Sequence, residues 1–224
     1  MSTKYASIIK NLRMKGGFSQ LSMADKLGLS RQSYMAVERG VRELTLDEAE
    51  RICGIFGIAI EALEHGETPD DEKYKHMILA FLRQGGKLPK TKLAKLLYFA
   101  DFGWFYYHLK SMSGMQYRKM NYGPVSDAYF RIIDDMFDHG EVDITTTQDG
   151  AMIISQTRSG AKISMSKINK EEESLIEKIE KKWKDKKTAE IVDFTHKQFP
   201  YLYAQQNEIV SYGLFTQENP DEIF

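Results

Sequence analysis

The sequence predicts a mainly α-helical protein with a smaller α+β part: an N-terminal domain of about five helices, then a C-terminal α+β domain. Three observations carry this fold class. Short amphipathic segments separated by glycine-containing turns fill residues 1–65. A long segment, from about Lys90 to Lys110, is apolar on two faces and therefore reads as a central helix. Two alternating, β-branched runs flank Gln148-Asp149-Gly150, which is the pattern of a hairpin.

Composition narrows the class of protein. The 224 residues include 31 Lys and Arg against 32 Asp and Glu, so no overall charge attracts nucleic acid or membrane, and any such binding depends on local arrangement. The single cysteine, Cys53, has no internal disulfide partner. The N-terminus lacks a secretory signal, and no apolar stretch approaches the roughly 18 residues that cross a bilayer. We therefore expect a cytoplasmic protein that does not bind membranes.

The chain is predicted to divide near residue 65. The stretch EHGETPDDE at residues 64–72 is acidic, contains Gly and Pro, and has no apolar residue to anchor it. This pattern is typical of a linker. We predict a first domain at residues 1–65, an acidic linker at 66–71 and a second domain at 72–224.

The second domain mixes helices with a few strands. A helix from about Lys73 stops at Gly85-Gly86, a strand follows around Met115–Met120, and Ser126 is predicted to cap the helix after the Gly-Pro turn. Asn169 and Glu172 resemble a capping box, and a last helix begins near Thr188. Two of these helices carry an apolar stripe, formed by Tyr129, Ile132, Ile133 and Met136 in one and by Leu175, Ile176, Ile179 and Trp183 in the other.

In the first domain, LSRQSYMAVERG predicts a helix with an exposed tip. Tyr34 and Val37 are three residues apart and face the core, whereas Arg31, Gln32 and Ser33 lie in the first turn. Arg reads guanine and Gln reads adenine through paired hydrogen bonds, and a helix N-terminus favours phosphate. The preceding segment FSQLSMADKLG, with Ser19 as N-cap, completes a helix-turn-helix.

The segment IIKNLRMKGGFSQLSMADKLGLSRQSYMAVERG resembles the Cro and phage-repressor type of helix-turn-helix over about residues 5–65. The resemblance implies an internal ion pair between Arg13 and Glu38. It implies base contacts from the start of the third helix and phosphate contacts around it. The DNA-binding residues so assigned are Gln20, Ser30, Arg31, Gln32, Ser33, Arg39 and Arg42.

An alternative is that this module only binds protein or dimerises. Residues 1–65 carry 9 Lys and Arg against 8 Asp and Glu, a net charge of +1 that is modest for a nucleic-acid binder. Phosphate contacts need clustered charge, however, and dimerisation doubles the contacts across two half-sites. DNA binding as a homodimer is the interpretation we prefer.

The second domain offers little for catalysis. Asp134, Asp138 and His139 lie near the end of a surface helix, where a solvated face is more common than a metal site. His196 lacks a paired nucleophile or acid, and a lone histidine near aromatic residues is usually structural. The lysines at 181–187 follow a run of glutamates and predict a charge-segregated solvent face. We therefore predict no enzyme activity, no cofactor and no metal.

Three segments, TKLAKLLYFADF, MSGMQYRKMNYGPVSDAYFRII and DFTHKQFPY, resemble in order and spacing the SocA-like domain also called Panacea, over about residues 72–205. The resemblance implies an antitoxin that binds and neutralises a toxin encoded beside it; one family member is described as a proteolytic adaptor. Tyr117 and Tyr122 either pack across the sheet or contact the partner, and the aromatic flank of the long helix is either covered or an anchor. The partner-binding residues so assigned are Trp104, Tyr117, Tyr122 and Pro124.

Together these patterns predict an antitoxin that also represses its own operon through operator DNA. Two alternatives stay open. One is a plain transcriptional regulator whose second domain senses a ligand or oligomerises. The other is an adaptor that delivers a toxin to a protease.

Overall fold

The computed structural model describes residues 2–58, 60–65 and 68–224. The chain divides into two compact units, Met1–Thr68 and Pro69–Phe224. The predicted linker at residues 66–71 spans this division, and its first two residues lie outside the described part. Its end is not a linker, because the Asp70 side chain accepts a hydrogen bond from the Lys73 backbone and caps a helix that starts at Asp71.

The first unit contains five helices within the described residues, as the spacing of its glycine turns predicted. Ser19 caps the second helix by accepting from the Ser22 backbone, and Gly28 ends it in the left-handed conformation at φ 69°. The side chains that form its core include Ile9, Met23 and Tyr34. The helices are α1 (Ser2–Lys15), α2 (Gln20–Leu27), α3 (Arg31–Glu38), α4 (Leu46–Phe56) and α5 (Ile60–His65).

The second unit is α+β, which confirms the predicted class. Its helices are α6 (Asp71–Gly85), α7 (Lys90–His108), α8 (Tyr129–Asp138), α9 (Lys170–Trp183), α10 (Thr188–His196) and α11 (Phe199–Tyr203). Its strands are β1 (Lys87–Pro89), β2 (Tyr117–Met120), β3 (Gly123–Ser126), β4 (Val142–Thr146) and β5 (Met152–Gln156). Short 3-10 helices lie at Gly160–Lys162, Gly213–Gln217 and Pro220–Glu222.

Helix α7 is the centre of the second unit, as its two apolar faces predicted. Tyr98 and Phe102 are fully buried on it with ring centroids 4.3 Å apart. Phe102 stacks on Tyr212 at 3.9 Å, and Phe99 stacks on Trp183 of α9 at 5.3 Å. The long helix is therefore covered on both sides by aromatic side chains, whose large apolar area stabilises the core.

Two separate antiparallel sheets flank this core. The first has the strand order β1-β5-β4, with Ile154 of β5 paired to both Leu88 and Ile144. It contains the predicted β4–β5 hairpin. Strand β1 was not predicted, because its partner is distant in the chain and three residues carry no local pattern.

The second sheet is the β2–β3 hairpin, in which Met120 pairs with Gly123 and leaves Asn121 and Tyr122 as the turn. The interpretation of Gly123–Ser126 as a turn and helix cap was wrong. These four residues form β3, and the Ser126 hydroxyl accepts from the Ala128 backbone before α8 begins at Tyr129. Proline suggested a turn, but in a two-stranded ribbon its missing N–H can face away from the partner strand.

No helix in the part of the chain that the structure describes is both long enough and apolar enough to cross a membrane.

Candidate nucleic-acid interface and partner surface

The start of α3 presents a polar tip. The Ser30 hydroxyl accepts from the Ser33 backbone N–H at 3.1 Å and so fixes the first turn. Arg31 and Gln32 are exposed there, whereas Tyr34 on the other face is fully buried. The burial of one face holds the other in a fixed orientation, and the exposed side chains have the donors that read base edges in a major groove.

A buried ion pair ties α1 to α3. The Arg13 Nε donates to Glu38 Oε1 at 2.5 Å, and the Gln20 amide donates to Glu38 Oε2 at 2.9 Å. Burial opposes the charge of Glu38, but the hydrogen bonds from Arg13 and Gln20 outweigh it and lower the pKa of this carboxyl. The ion pair implied by the family resemblance is therefore present, and Gln20 supports it by a hydrogen bond to the same carboxylate.

Two arginines assigned to phosphate differ in availability. The Arg42 guanidinium donates to both oxygens of Glu48, at 2.9 and 2.7 Å, and its contact with phosphate stays a prediction. Glu48 is itself part of the α4 capping box with Thr45, so the pair belongs to the helix start. Arg39 is exposed, with its Nε directed to the Met35 carbonyl at 3.3 Å, and stays a predicted phosphate contact.

In the second unit, Tyr117 is not a partner contact. Its side chain is fully buried, and its hydroxyl donates to Asp101 Oδ2 at 2.7 Å. The same carboxylate accepts from both the backbone N–H and the hydroxyl of Ser113, each at 2.6 Å. Tyr117 therefore belongs to a polar network inside the core, which satisfies the buried carboxylate.

Pro124 is buried as well, so its side chain is not part of an exposed surface. Its carbonyl accepts a hydrogen bond of 2.7 Å from Lys95 Nζ, and Lys95 is itself fully buried on α7. Burial lowers the pKa of Lys95 to about 7. Sequence reasoning missed Lys95, because a lysine between apolar helical positions gives no sign that its amine points inward.

This shift predicts how stability depends on pH. The unfolded chain binds the Lys95 proton up to a pKa of about 10.5, whereas the folded chain releases it near 7. Between these values the unfolded state holds more protons, so the free energy of unfolding should rise with pH, by at most about 1.4 kcal/mol per pH unit. Urea unfolding from pH 7 to 9 should show this rise in the native chain relative to Lys95→Met. Parallel pH profiles for the two proteins would contradict the shift.

Exposed apolar side chains lie on the hairpin turn and on α11, two segments that a hydrogen bond joins. Tyr122 is 69% exposed, and Leu202 and Tyr203 of α11 are 56% and 71% exposed. The Tyr201 hydroxyl donates to the Met120 carbonyl at 3.1 Å, which joins α11 to the hairpin. We name this set of side chains the hairpin–α11 surface, formed by Met120, Tyr122, Phe199, Leu202 and Tyr203. Only Tyr122 among these was singled out from the sequence, since the others lie in segments without a clear period.

The remaining assignments fall outside this surface. Trp104 is partly buried against the core and stacks on His108 at 3.8 Å, so its role in partner binding stays a prediction. His196 stacks on Tyr201 at 4.4 Å. Burial, and to a smaller extent the charge of Lys95, lowers the pKa of His196. Among the residues that the structure describes, no three His, Cys, Asp or Glu side chains group as metal ligands.

Comparison with known proteins relates the first unit to a family of DNA-binding domains and to two regulators. A helix-turn-helix family matches residues 9–63. The cryptic phage CTXphi transcriptional repressor RstR of Vibrio cholerae is 31% identical over 75 residues, which is 33% of this chain and 68% of that protein. The SPbeta prophage-derived uncharacterized HTH-type transcriptional regulator YonR of Bacillus subtilis strain 168 is 29% identical over 94 residues, 41% of this chain and 87% of that protein.

The second unit matches a different family, described as antitoxin SocA-like, Panacea domain, over residues 93–200. That range includes most of α7, both strands of the β2–β3 hairpin and the start of α11. No solved structure gives a significant match to the chain. The chain therefore belongs to the Cro and phage-repressor type of helix-turn-helix regulators and carries a SocA-like Panacea antitoxin domain.

Proposed function

We propose that this protein is an antitoxin that neutralises a toxin by direct binding and represses the transcription unit that encodes both proteins. The second unit binds the toxin, and the first binds operator DNA as a homodimer. No cofactor or catalytic step is required, and both activities belong to the cytoplasm. The observation that carries the proposal is the joining, in one chain, of a repressor-type helix-turn-helix to a SocA-like antitoxin domain.

The DNA half of the proposal is supported by the α3 tip. Arg31 and Gln32 are exposed beside an ordered Ser30 cap, while Arg13 and Glu38 hold α3 against α1. A rigid helix with a free polar end is what base readout requires. A homodimer would place two such tips on successive half-sites and double the phosphate contacts.

The toxin half is supported by the hairpin–α11 surface. Its two joined segments expose five large apolar side chains, two of them tyrosines, and tyrosine is enriched among the residues that dominate binding energy. This surface replaces the earlier assignment of Tyr117 and Pro124, which are buried. Tyr122 is retained from that assignment.

A second candidate function is a plain transcriptional regulator with no toxin, and the two relatives, a repressor and an HTH-type transcriptional regulator, favour it. In that case the second unit would oligomerise or bind a small effector. The proteolytic adaptor differs from both, because it would shorten the lifetime of a toxin instead of blocking it.

Growth and toxin lifetime together separate these functions. The small open reading frame that adjoins this gene is expressed alone and then with the full chain, and toxin half-life is followed after translation is stopped. We expect growth arrest by the neighbour alone, rescue by this chain, and an unchanged half-life. A shortened half-life would favour the adaptor, and a harmless neighbour would favour the plain regulator.

A further inference from the structure

Lys95 is a buried amine with no carboxylate partner among the residues that the structure describes. It is fully buried on α7, and no ion pair joins it to an Asp or Glu in the described ranges of the chain. Its amine donates to the Pro124 carbonyl at 2.7 Å. Burying this amine costs free energy near neutral pH, because it must either keep an unpaired charge or give up the proton that it holds in water, and an apolar side chain of similar size would avoid this cost. The presence of lysine at this position therefore needs a reason other than stability.

The amine holds the hairpin next to its turn. Pro124 is two residues from Tyr122, and the intervening Gly123 has a left-handed backbone at φ 88°. A Cβ at Gly123 would clash with the Thr195 hydroxyl of α10 and lie 2.9 Å from Cε of Lys95. The turn backbone thus packs closely against α7 and α10, and the Tyr122 side chain is exposed to solvent.

The hairpin is small and is held by contacts on several sides. Each strand has four residues, and a two-stranded hairpin alone is marginally stable in water. On its outer edge β2 pairs with residues 207–210, through the Lys119 N–H to the Glu208 carbonyl and the Val210 N–H to the Tyr117 carbonyl, both at 2.9 Å. Other anchors lie nearer the surface, such as the Gln206 amide bound to the Asn121 side chain at 3.1 Å. The hydrogen bond from Lys95 is buried, and a hydrogen bond is electrostatically stronger in a low-dielectric interior.

We propose that Lys95 is a positioning residue for toxin binding: its amine fixes the β2–β3 turn so that the Tyr122 side chain is held beside the exposed residues of α11. This inference rests on the proposed function of the hairpin–α11 surface. Lys95 acts through the hairpin backbone and does not touch the partner. Its substitution therefore weakens binding without removing any contact residue.

The first test compares Lys95→Met with Lys92→Met in the full chain. Lys92 is a buried lysine one turn earlier on α7, but its amine donates to the carbonyls of Lys184 and Lys186, between α9 and α10. We expect Lys95→Met to lower toxin affinity at least tenfold while its unfolding midpoint stays at or above that of the native chain. Lys92→Met should leave affinity unchanged, because its carbonyl acceptors do not lie on the hairpin. Native affinity in Lys95→Met would overturn the inference.

A double-mutant cycle tests the route of the effect. If Lys95 acts through Tyr122, Lys95→Met should lower affinity no further in a Tyr122→Ala background. Additive losses would overturn the inference. Lys95→Gln retains a hydrogen-bond donor on a side chain that is one bond shorter. Its affinity should lie between those of the native protein and Lys95→Met. If Lys95→Met does not fold, the comparison of Lys95→Gln with the native protein replaces it.

Hydrogen exchange separates this inference from the proposed function, since it needs no partner. Amides of the hairpin, residues 117–126, should exchange at least tenfold faster in Lys95→Met, while amides of α9 keep their native rates. Unchanged hairpin exchange would overturn the positioning role whether or not a toxin binds. If hairpin exchange is faster in Lys95→Met but the native chain binds no toxin, Lys95 is an anchor of the hairpin only. That result would overturn both its role in toxin binding and the proposed function.

Discussion

Replacing Arg31 and Gln32 together by alanine is expected to abolish sequence-specific DNA binding while toxin neutralisation persists. Both side chains are exposed at the start of α3, so their loss leaves the core intact. A paired hydrogen bond to a base is worth about 1–3 kcal/mol of discrimination, so the loss of two such pairs should lower specificity at least about thirtyfold. Toxin binding is proposed for the other unit and should not change.

Fluorescence anisotropy with the DNA upstream of the gene, compared with a scrambled duplex at fixed salt, measures this effect. Arg51→Ala is the matched control, because Arg51 is an exposed arginine of α4 paired to Asp47 and lies outside the predicted interface. The control should retain specific binding. Specific binding that survives the double substitution would refute the assignment of α3, and loss of neutralisation as well would refute separate activities.

Asp101→Asn is expected to destabilise the second unit by about 3 kcal/mol or more, because buried donors lose a charged acceptor. The carboxylate accepts from Ser113 twice and from Tyr117, all at 2.6–2.7 Å. An asparagine has one acceptor oxygen, and its NH2 group would face a donor. The network also holds the loop before β2, so the hairpin should lose its support.

Urea unfolding followed by near-ultraviolet circular dichroism reports on this change, since the core of the second unit is rich in aromatic rings. Asp138→Asn, at an exposed position on α8, is the control and should unfold like the native chain. Neutralisation in cells should weaken for Asp101→Asn in proportion to the loss of folded protein. A native unfolding midpoint for this variant would show that the network does not stabilise the core.

Periodicity predicted the larger elements well. The stripe Tyr129, Ile132, Ile133 and Met136 is buried on α8, and the corresponding stripe is buried on α9. The apolar surface of α7 predicted its central position. These elements are long enough for burial to impose a period on the sequence, and caps such as Asn169 with Glu172 mark where they begin.

The parts that were missed depend on contacts between distant segments. Strand β1 forms only because Leu88 meets Ile154, and β3 was hidden by the Gly-Pro pair. Tyr117 was assigned to a surface because its partner, Asp101, lies on another element. Local patterns do not report which side chain faces a distant carboxylate.

The residues of the candidate sites also differ in whether the sequence alone could identify them. The exposed tip of α3 follows from helical spacing alone, so Arg31 and Gln32 could be selected from the sequence. The sequence could not show that Arg42 is paired, because its contact with Glu48 depends on the geometry of the loop before α4. The hairpin–α11 surface likewise forms only where two separate segments meet.

Direct binding of a toxin by this chain can be measured by calorimetric titration of the purified product of the adjoining gene into the full chain. We expect a saturable complex in which the activity of the toxin is lost, with the same affinity for the Arg31→Ala, Gln32→Ala variant. The absence of binding, when that product arrests growth and the chain binds its operator, would refute direct neutralisation.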